Sequence, residues 1–191
     1  MVKPDRPPAN GFVQAARKVY NPIGFSKGYN FILWFIFSGA LMGFVLARFY
    51  YLDYASVFCP QQGGGAGPGE CFNYYKYAHE KAGIIIHLAG ILPAGFLACF
   101  QFVPAIRHKA MIFHRINGYL IIILSLVSTI GVLLIARHAF GGGVDIQIAI
   151  GFLAIIFTGS LVMAYINIKR LQIEQHRAWM LRAWFYVSNE I

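Results

Sequence analysis

The chain has 191 residues, 58% of them hydrophobic and 12% charged, and its mean hydropathy is positive. Soluble domains carry about twice that charged fraction, so the composition excludes an ordinary soluble enzyme or binding module and points to a bilayer. The formal net charge of +9 would suit nucleic acid only if the basic residues were pooled on one surface, but they are distributed around four long apolar runs.

Residues 1–27 read as a cytoplasmic basic arm: polar, Pro-containing, and without the apolar core of a cleavable signal peptide. It is expected to be a solvated tail. Any headgroup contact would use Arg17, Lys18 and Lys27, interleaved with Phe12, Tyr20 and Phe25. The first span, 28–50, is then its own signal anchor. It carries Gly39 and Gly43 four residues apart, a small-xxx-small pattern through which a second helix, including that of another copy, could approach.

The long connection at 51–81 is aromatic at both ends and Gly-rich in its middle. Its string CPQQGGGAGPGEC lacks the Gly-Lys-Ser/Thr ending of a nucleotide-binding loop, and that reading is rejected. Cys59 and Cys71 bracket the glycines, and on an oxidising side of the membrane they favour a disulfide over a metal site. Cys99 falls inside the second span and reads as packing.

The second span is expected at 82–106, kinked at Pro93 and ended by Pro104, the third at 113–136 and the fourth at 146–168, with a fifth beginning at 176–191. The runs 28–47, 82–106, 116–136 and 146–168 contain no Asp, Glu, Lys or Arg. The expected fold class is therefore all-α, a polytopic transmembrane bundle of four full spans plus the start of a fifth. Of the sixteen Lys and Arg residues, only Arg48, Lys76, Lys81 and Arg137 lie in the connections after the first and third spans. The positive-inside rule then places the N-terminus in the cytoplasm and 51–81 outside it.

Helical spacing aligns Gly83, His87, Gly90, Ala94 and Gln101 on the second span. It aligns His114, Gly118, Ser125 and Ser128 on the third, and Gln147, Gly151, Ala154, Thr158 and Tyr165 on the fourth. Small polar stripes turn toward other helices rather than lipid, so three seams should face one another and carry His87 inward. His79, His108 and His138 read as interfacial. His114 and His176 each read as opening a helix and are each followed by Arg, as FHRINGYL and QHRAWMLRAWF. Two His-Arg pairs thus sit at positive helix ends on one membrane face.

The strings IIIHLAGILPAG, QFVPAIRHKAMIFHRINGY and QHRAWMLRAWFY, in this order, resemble the domain-of-unknown-function 2306 family of predicted membrane proteins, in a version like those of fungi. The resemblance covers the second span onward. It implies a helical bundle of unspecified activity whose shared polar core contains His87, His114, Arg115, His176, Arg177, Trp179, Met180 and Arg182. In relatives the helix opened by HRAWMLRAWFY continues into further spans, whereas here VSNEI ends it, so a C-terminal truncation is expected.

Three functions follow from these residues. One is b-type haem binding with electron transfer in the membrane: His87, His114 and His176 would be candidate ligands, and any enzyme would be an oxidoreductase. The second is binding or transport of an anionic lipid or small metabolite through Arg115, Arg177 and Arg182. The third is a structural subunit. No Ser-His-Asp grouping, paired intramembrane carboxylates or zinc-type spacing occurs, so hydrolysis and a metal site are not expected, and the partner expected is the bilayer rather than nucleic acid.

Overall fold

A computed structural model describes residues 10–60 and 65–187. Within them the chain forms eight α-helices and no strand: α1 (Gly11–Tyr20), α2 (Gly28–Leu46), α3 (Glu70–Lys76), α4 (Ala78–Gln101), α5 (Pro104–Lys109), α6 (Met111–Ile135), α7 (Val144–Lys169) and α8 (Ile173–Val187). In hydrocarbon every backbone N–H and C=O must find its partner within the chain, which long helices achieve. Four helical stretches are long and apolar enough to span: Gly28–Leu52, Ala78–Gln101, Met111–Ile135 and Val144–Lys169. The protein is an all-α, polytopic helical bundle.

The arm is not simply a tail. Asn10 caps α1 by accepting the Val13 N–H at 2.9 Å, and Tyr20 is buried against the start of α2. Residues 1–9 lie outside the described part. The second span also differs from expectation at its end. The helix α4 runs on through Pro93 but stops at Gln101, and Pro104 opens the separate helix α5. Proline disfavours helical geometry in the residue before it and is well suited to the first turn of a new helix. Val103 accordingly takes an extended conformation (φ −80°, ψ 113°).

The central helix is α4. Half of its apolar stretch is buried by neighbours, against 6% for the first span. It packs most extensively on α6, while α7 packs chiefly on α8 and meets α6 only lightly. The α4–α6 seam follows the small-residue stripes. A Cβ placed on Gly90 would lie 2.7 Å from the Leu124 carbonyl oxygen, and one on Gly131 would lie 2.5 Å from the Gly83 carbonyl oxygen. Around this pair Val45 of α2, Ile91, Leu92, Ala94 and Ala98 of α4, Ile121 of α6, Phe157 and Leu161 of α7, and Ala183 and Trp184 of α8 form one core.

The fourth seam is not where spacing put it. On α7 the buried residues are Ile150, Phe157, Ser160, Leu161, Ala164 and Asn167, whereas Tyr165 is exposed and a Cβ on Gly151 would meet nothing within 4 Å. The reason is the partner: α7 turns the Ser160, Ala164 and Asn167 side toward α8 instead of completing a three-way seam. Gly39 and Gly43 likewise have no neighbour within 4 Å of an added Cβ.

The connection before α4 is folded onto the bundle. Cys59 and Cys71 are bonded across it, and Phe58, Cys59 and Tyr74 pack with Ile84, Ile135, Ala139 and Ile150. Glu70 accepts the Gly67 N–H at 2.9 Å and the Phe140 N–H at 2.9 Å, pinning the turn between α6 and α7. Burial, and after it the carboxylates Glu70 and Glu80, hold the Tyr74 phenol protonated far above its ordinary range. Residues 61–64 of the Gly-rich segment lie outside the described part.

Two outcomes test this packing. Gly90→Ala should destabilise the protein by roughly 1–3 kcal/mol in reversible detergent unfolding, because the clash is with backbone that has no flexible end to move. Gly39→Ala should be neutral or stabilising by up to about 1 kcal/mol, the helix-propensity gain with no clash to offset it. Mass spectrometry of non-reduced protein should find the Cys59–Cys71 peptide cross-linked; two free thiols there would remove the bond.

Candidate functional site at the basic end of the bundle

The structure separates the three candidate histidines, His87, His114 and His176. His87 Nδ1 is 2.8 Å from Ser128 Oγ, and that hydroxyl also reaches the His87 carbonyl oxygen at 3.2 Å. The pair spans the tightest part of the α4–α6 seam, where a Cβ on Gly131 would come within 2.7 Å of the His87 backbone nitrogen. Gln101 lies fourteen residues further along α4, about 21 Å at the helical rise. Its Nε2 donates to the His114 carbonyl oxygen at 3.0 Å, which sets the level of His114. His87 is therefore remote from His114.

His114 and His176 do share a level. His176 is close enough to act electrostatically on His114, as are Arg107 and Arg115. Each histidine is the fourth residue of its helix rather than its opening residue. Their backbone N–H groups are already committed, His114 to the Ala110 carbonyl at 3.0 Å and His176 to the Gln172 carbonyl at 2.9 Å. The N–H groups of these two histidines are thus not available to an anion, and at these positions only the side chains are. His176 Nδ1 lies 2.9 Å from the Ala164 carbonyl oxygen, which makes Nδ1–H the donor and leaves Nε2 as the free nitrogen. His114 Nδ1 is shielded from water with no hydrogen-bond partner.

Arginines surround this pair. Burial first, and the like charge of Arg177 second, lower the pKa of the Arg107 guanidinium on α5, with Glu174 offsetting them. A guanidinium lowered in this way is still charged near neutrality. Arg177 meets Glu174 at 4.0 Å, and both side chains are well exposed, so that ion pair contributes little. Arg182 does not join the group by any such contact; its guanidinium lies 4.6 Å over the Trp179 ring. Sequence reasoning missed Arg107, because it was counted only as topology, and the signal available was its place in the string that also holds His114.

Asn117, in the same string, was missed as well. It is buried and donates to the Leu97 carbonyl oxygen at 3.1 Å. With Gln101 it latches α4 to α6 at this end. An amide inside an otherwise apolar span was the signal that could have found it.

The profile of the predicted membrane protein family DUF2306 matches residues 84–189. The chain belongs to this family. The family region begins within α4 and takes in His87, His114, His176, Arg107, Arg115 and Arg177, together with the Gln101 and Asn117 latches. No curated protein and no solved structure gives a match.

A second polar cluster sits at the opposite end, built partly from residues that precede the family region (Tyr77, His79, Glu80) and partly from Arg137 and His138 within it. Glu80 is fully buried, and His138 Nδ1 lies 2.5 Å from its Oε1. The Tyr77 ring stacks on His138 at 5.2 Å between centroids, and a recess of about 180 Å³ is lined by Tyr77, His79, Glu80, Arg137 and His138. Among the described residues no group of three or more His, Cys, Asp or Glu is placed to hold a metal ion. The geometry makes this cluster a clamp between the start of α4 and the end of α6. His138→Ala should cost about 1–3 kcal/mol in detergent unfolding, because the buried Glu80 carboxylate would lose its hydrogen bond and keep only His79, 3.7 Å away. Glu80→Gln, which keeps shape and one acceptor, should cost less.

Proposed function

We propose that the protein binds an anionic group, phosphate or carboxylate, carried by a lipid or a small metabolite, where α5, α6 and α8 meet, and that this end faces the cytoplasm. The observation that carries the reading is Arg107 placed near both Arg177 and a His114 whose Nδ1 is shielded and unpartnered. Like charges held together in the folded state are relieved by an anion. Glu174 is the acid beside them, and it is exposed on the outer turn of α8. The twelve basic residues on the N-terminal side of the spans support the orientation.

The binding would be made by side chains. Arg107 offers a planar fork that suits two oxygens of one phosphate or carboxylate, Arg177 a second, and the histidines add ring N–H donors when protonated. Whether ligand crosses the membrane or only docks is a separate property of the same site. Haem gains less support from the same histidines. His87 is committed to Ser128 in a seam too close for a porphyrin, and it lies about 21 Å from the level of His114.

The test uses the purified protein in nanodiscs. Arg107→Gln and Arg177→Gln should each weaken binding of the cognate anion by roughly 10- to 150-fold, corresponding to a charge-assisted hydrogen bond of about 1.5–3 kcal/mol. Native mass spectrometry with phosphatidylserine and phosphatidylglycerol reports the lipid arm, and thermal shifts with inorganic phosphate and small dicarboxylates report the soluble arm. Binding unchanged in both variants would sink the reading and leave a structural subunit. An absorption spectrum showing a Soret band with reducible α and β bands would transfer it to haem. For orientation, Phe72→Cys in a Cys59→Ser, Cys71→Ser background should react with an impermeant thiol reagent from the non-cytoplasmic side, since Phe72 is exposed.

A further inference from the structure

The helix α1 has one face that nothing in the fold covers. At 100° per residue Phe12, Ala15, Ala16 and Val19 fall within one arc, while Gln14, Arg17 and Lys18 lie opposite it. Phe12 is 82% exposed and Val19 58% exposed. Tyr20, at the edge of that arc, is the residue that packs, its ring 6.3 Å from Phe31 of α2.

The position of α1 is fixed from its other end. The Phe25 N–H returns to the Tyr20 carbonyl oxygen at 3.1 Å, and the Ile23 carbonyl oxygen accepts the Ala105 N–H of α5 at 2.9 Å. Gly24 makes this possible. It has φ +98°, and a Cβ there would stand 2.7 Å from the Ala105 nitrogen. The linker is therefore held against the first turn of α5, directly after α4 ends and just before α2 begins. That level is where two spans enter the bilayer. Phe25, Phe31 and Trp34 form an aromatic cluster there, and Lys27 lies 5.6 Å over the Tyr29 ring.

From these observations we propose that α1 lies in the plane of the headgroups of the leaflet on its own side, with Phe12 and Val19 among the upper acyl carbons and Arg17 and Lys18 on anionic lipid phosphates. The occupant is argued from continuity and from charge. The uncovered apolar face adjoins the lipid-facing surface of α2, where Ile32, Phe35 and Ile36 are exposed. Residues 10–27 carry Arg17, Lys18 and Lys27 and no acid. Arg17 Nε is shielded from water yet has no partner in the protein. A short, strongly amphipathic helix with cations on its polar side is the pattern that lies in an interface rather than across it.

The proposal concerns a different element from the anion site and stands or falls separately. The experiment places a nitroxide label at Phe12→Cys, and in a second variant at Gln14→Cys, in the full chain reconstituted into phosphatidylcholine vesicles with and without phosphatidylserine. At Phe12 the label should collide readily with oxygen and poorly with a water-soluble nickel complex, and the reverse should hold at Gln14. Tryptic cleavage after Arg17 and Lys18 should be several-fold slower with phosphatidylserine present, and F12D/V19D should abolish that protection while the bundle keeps its unfolding midpoint. Equal nickel accessibility at the two labels would overturn the proposal. So would dipolar coupling between Phe12 labels on two copies, which would show that a second chain covers the face.

Discussion

Everything in this bundle depends on how closely α4 and α6 approach. Between lipid-immersed helices there is no hydrophobic driving force, because acyl chains are as apolar as leucine, and association rests on packing and on hydrogen bonds between helices. Gly83 and Gly90 on α4, with Gly131 on α6, remove the side chains that would hold the backbones apart. The gain is dispersion contact along the whole seam, each contact small and the sum large. The polar bonds then find their partners. Ser128 reaches His87, Asn117 reaches Leu97 and Gln101 reaches His114 because the two backbones are already within reach. Had the glycines been alanines, those side chains would be polar groups in hydrocarbon without partners.

The seam also explains why polar residues gather at its two ends. At one end Glu80 and His138 close the pair, and the disulfide-bonded connection and Glu70 cover it. At the other end the Gln101 and Asn117 latches fix α6, which carries His114 toward α5 and α8. The two ends differ in what they leave unsatisfied. Glu80 Oε2 and His114 Nδ1 are both shielded without partners. Glu80 is enclosed entirely, and His138 already takes its other oxygen; His114 lies within reach of Arg107, Arg115 and His176, with Arg177 beside Arg107. A ligand can reach the second arrangement from the aqueous side without opening the fold, which is why the functional reading is placed there.

Much of this was legible in the sequence because membrane physics leaves few choices. Twenty apolar residues without a charge must be a helix in lipid, so four spans and the all-α class could be read directly. The stripe on α4 was legible for the same reason, since glycine and histidine turned toward lipid would gain nothing. What periodicity does not contain is the identity of the partner. The α7 stripe through Gly151 and Thr158 is as regular as that of α4, but α7 chose the face bearing Ser160, Ala164 and Asn167, because α8 was there to receive it. Helix starts failed for a local reason: His114 and His176 attract attention as the heads of the two His-Arg pairs, while each helix begins three residues earlier. Glu80 was hidden by its position, for an acid beside a span boundary reads as interfacial until its neighbour fifty-eight residues away is known.

The correction at the helix starts changes what kind of recognition the basic end can perform. Backbone N–H groups at a helix terminus hold an anion by fixed dipoles and distinguish little among anions. With the N–H groups of His114 and His176 spent inside their helices, an anion at these two residues would be held by guanidinium and imidazole groups, whose geometry depends on the elements that carry them. Arg107 rides on α5, a six-residue helix held to the N-terminal linker by the bond from the Ala105 N–H to the Ile23 carbonyl oxygen. Arg177 rides on α8, whose alignment is set by α7 through His176 and Ala164. The separation of the two guanidinium groups is therefore decided by α1 and its linker on one side and by the α7–α8 pair on the other. A displacement of either would move one charge relative to the other, so under the proposed reading the geometry of the basic end depends on the linker bond to α5 and on the α7–α8 pair rather than on any residue of α1 touching the ligand.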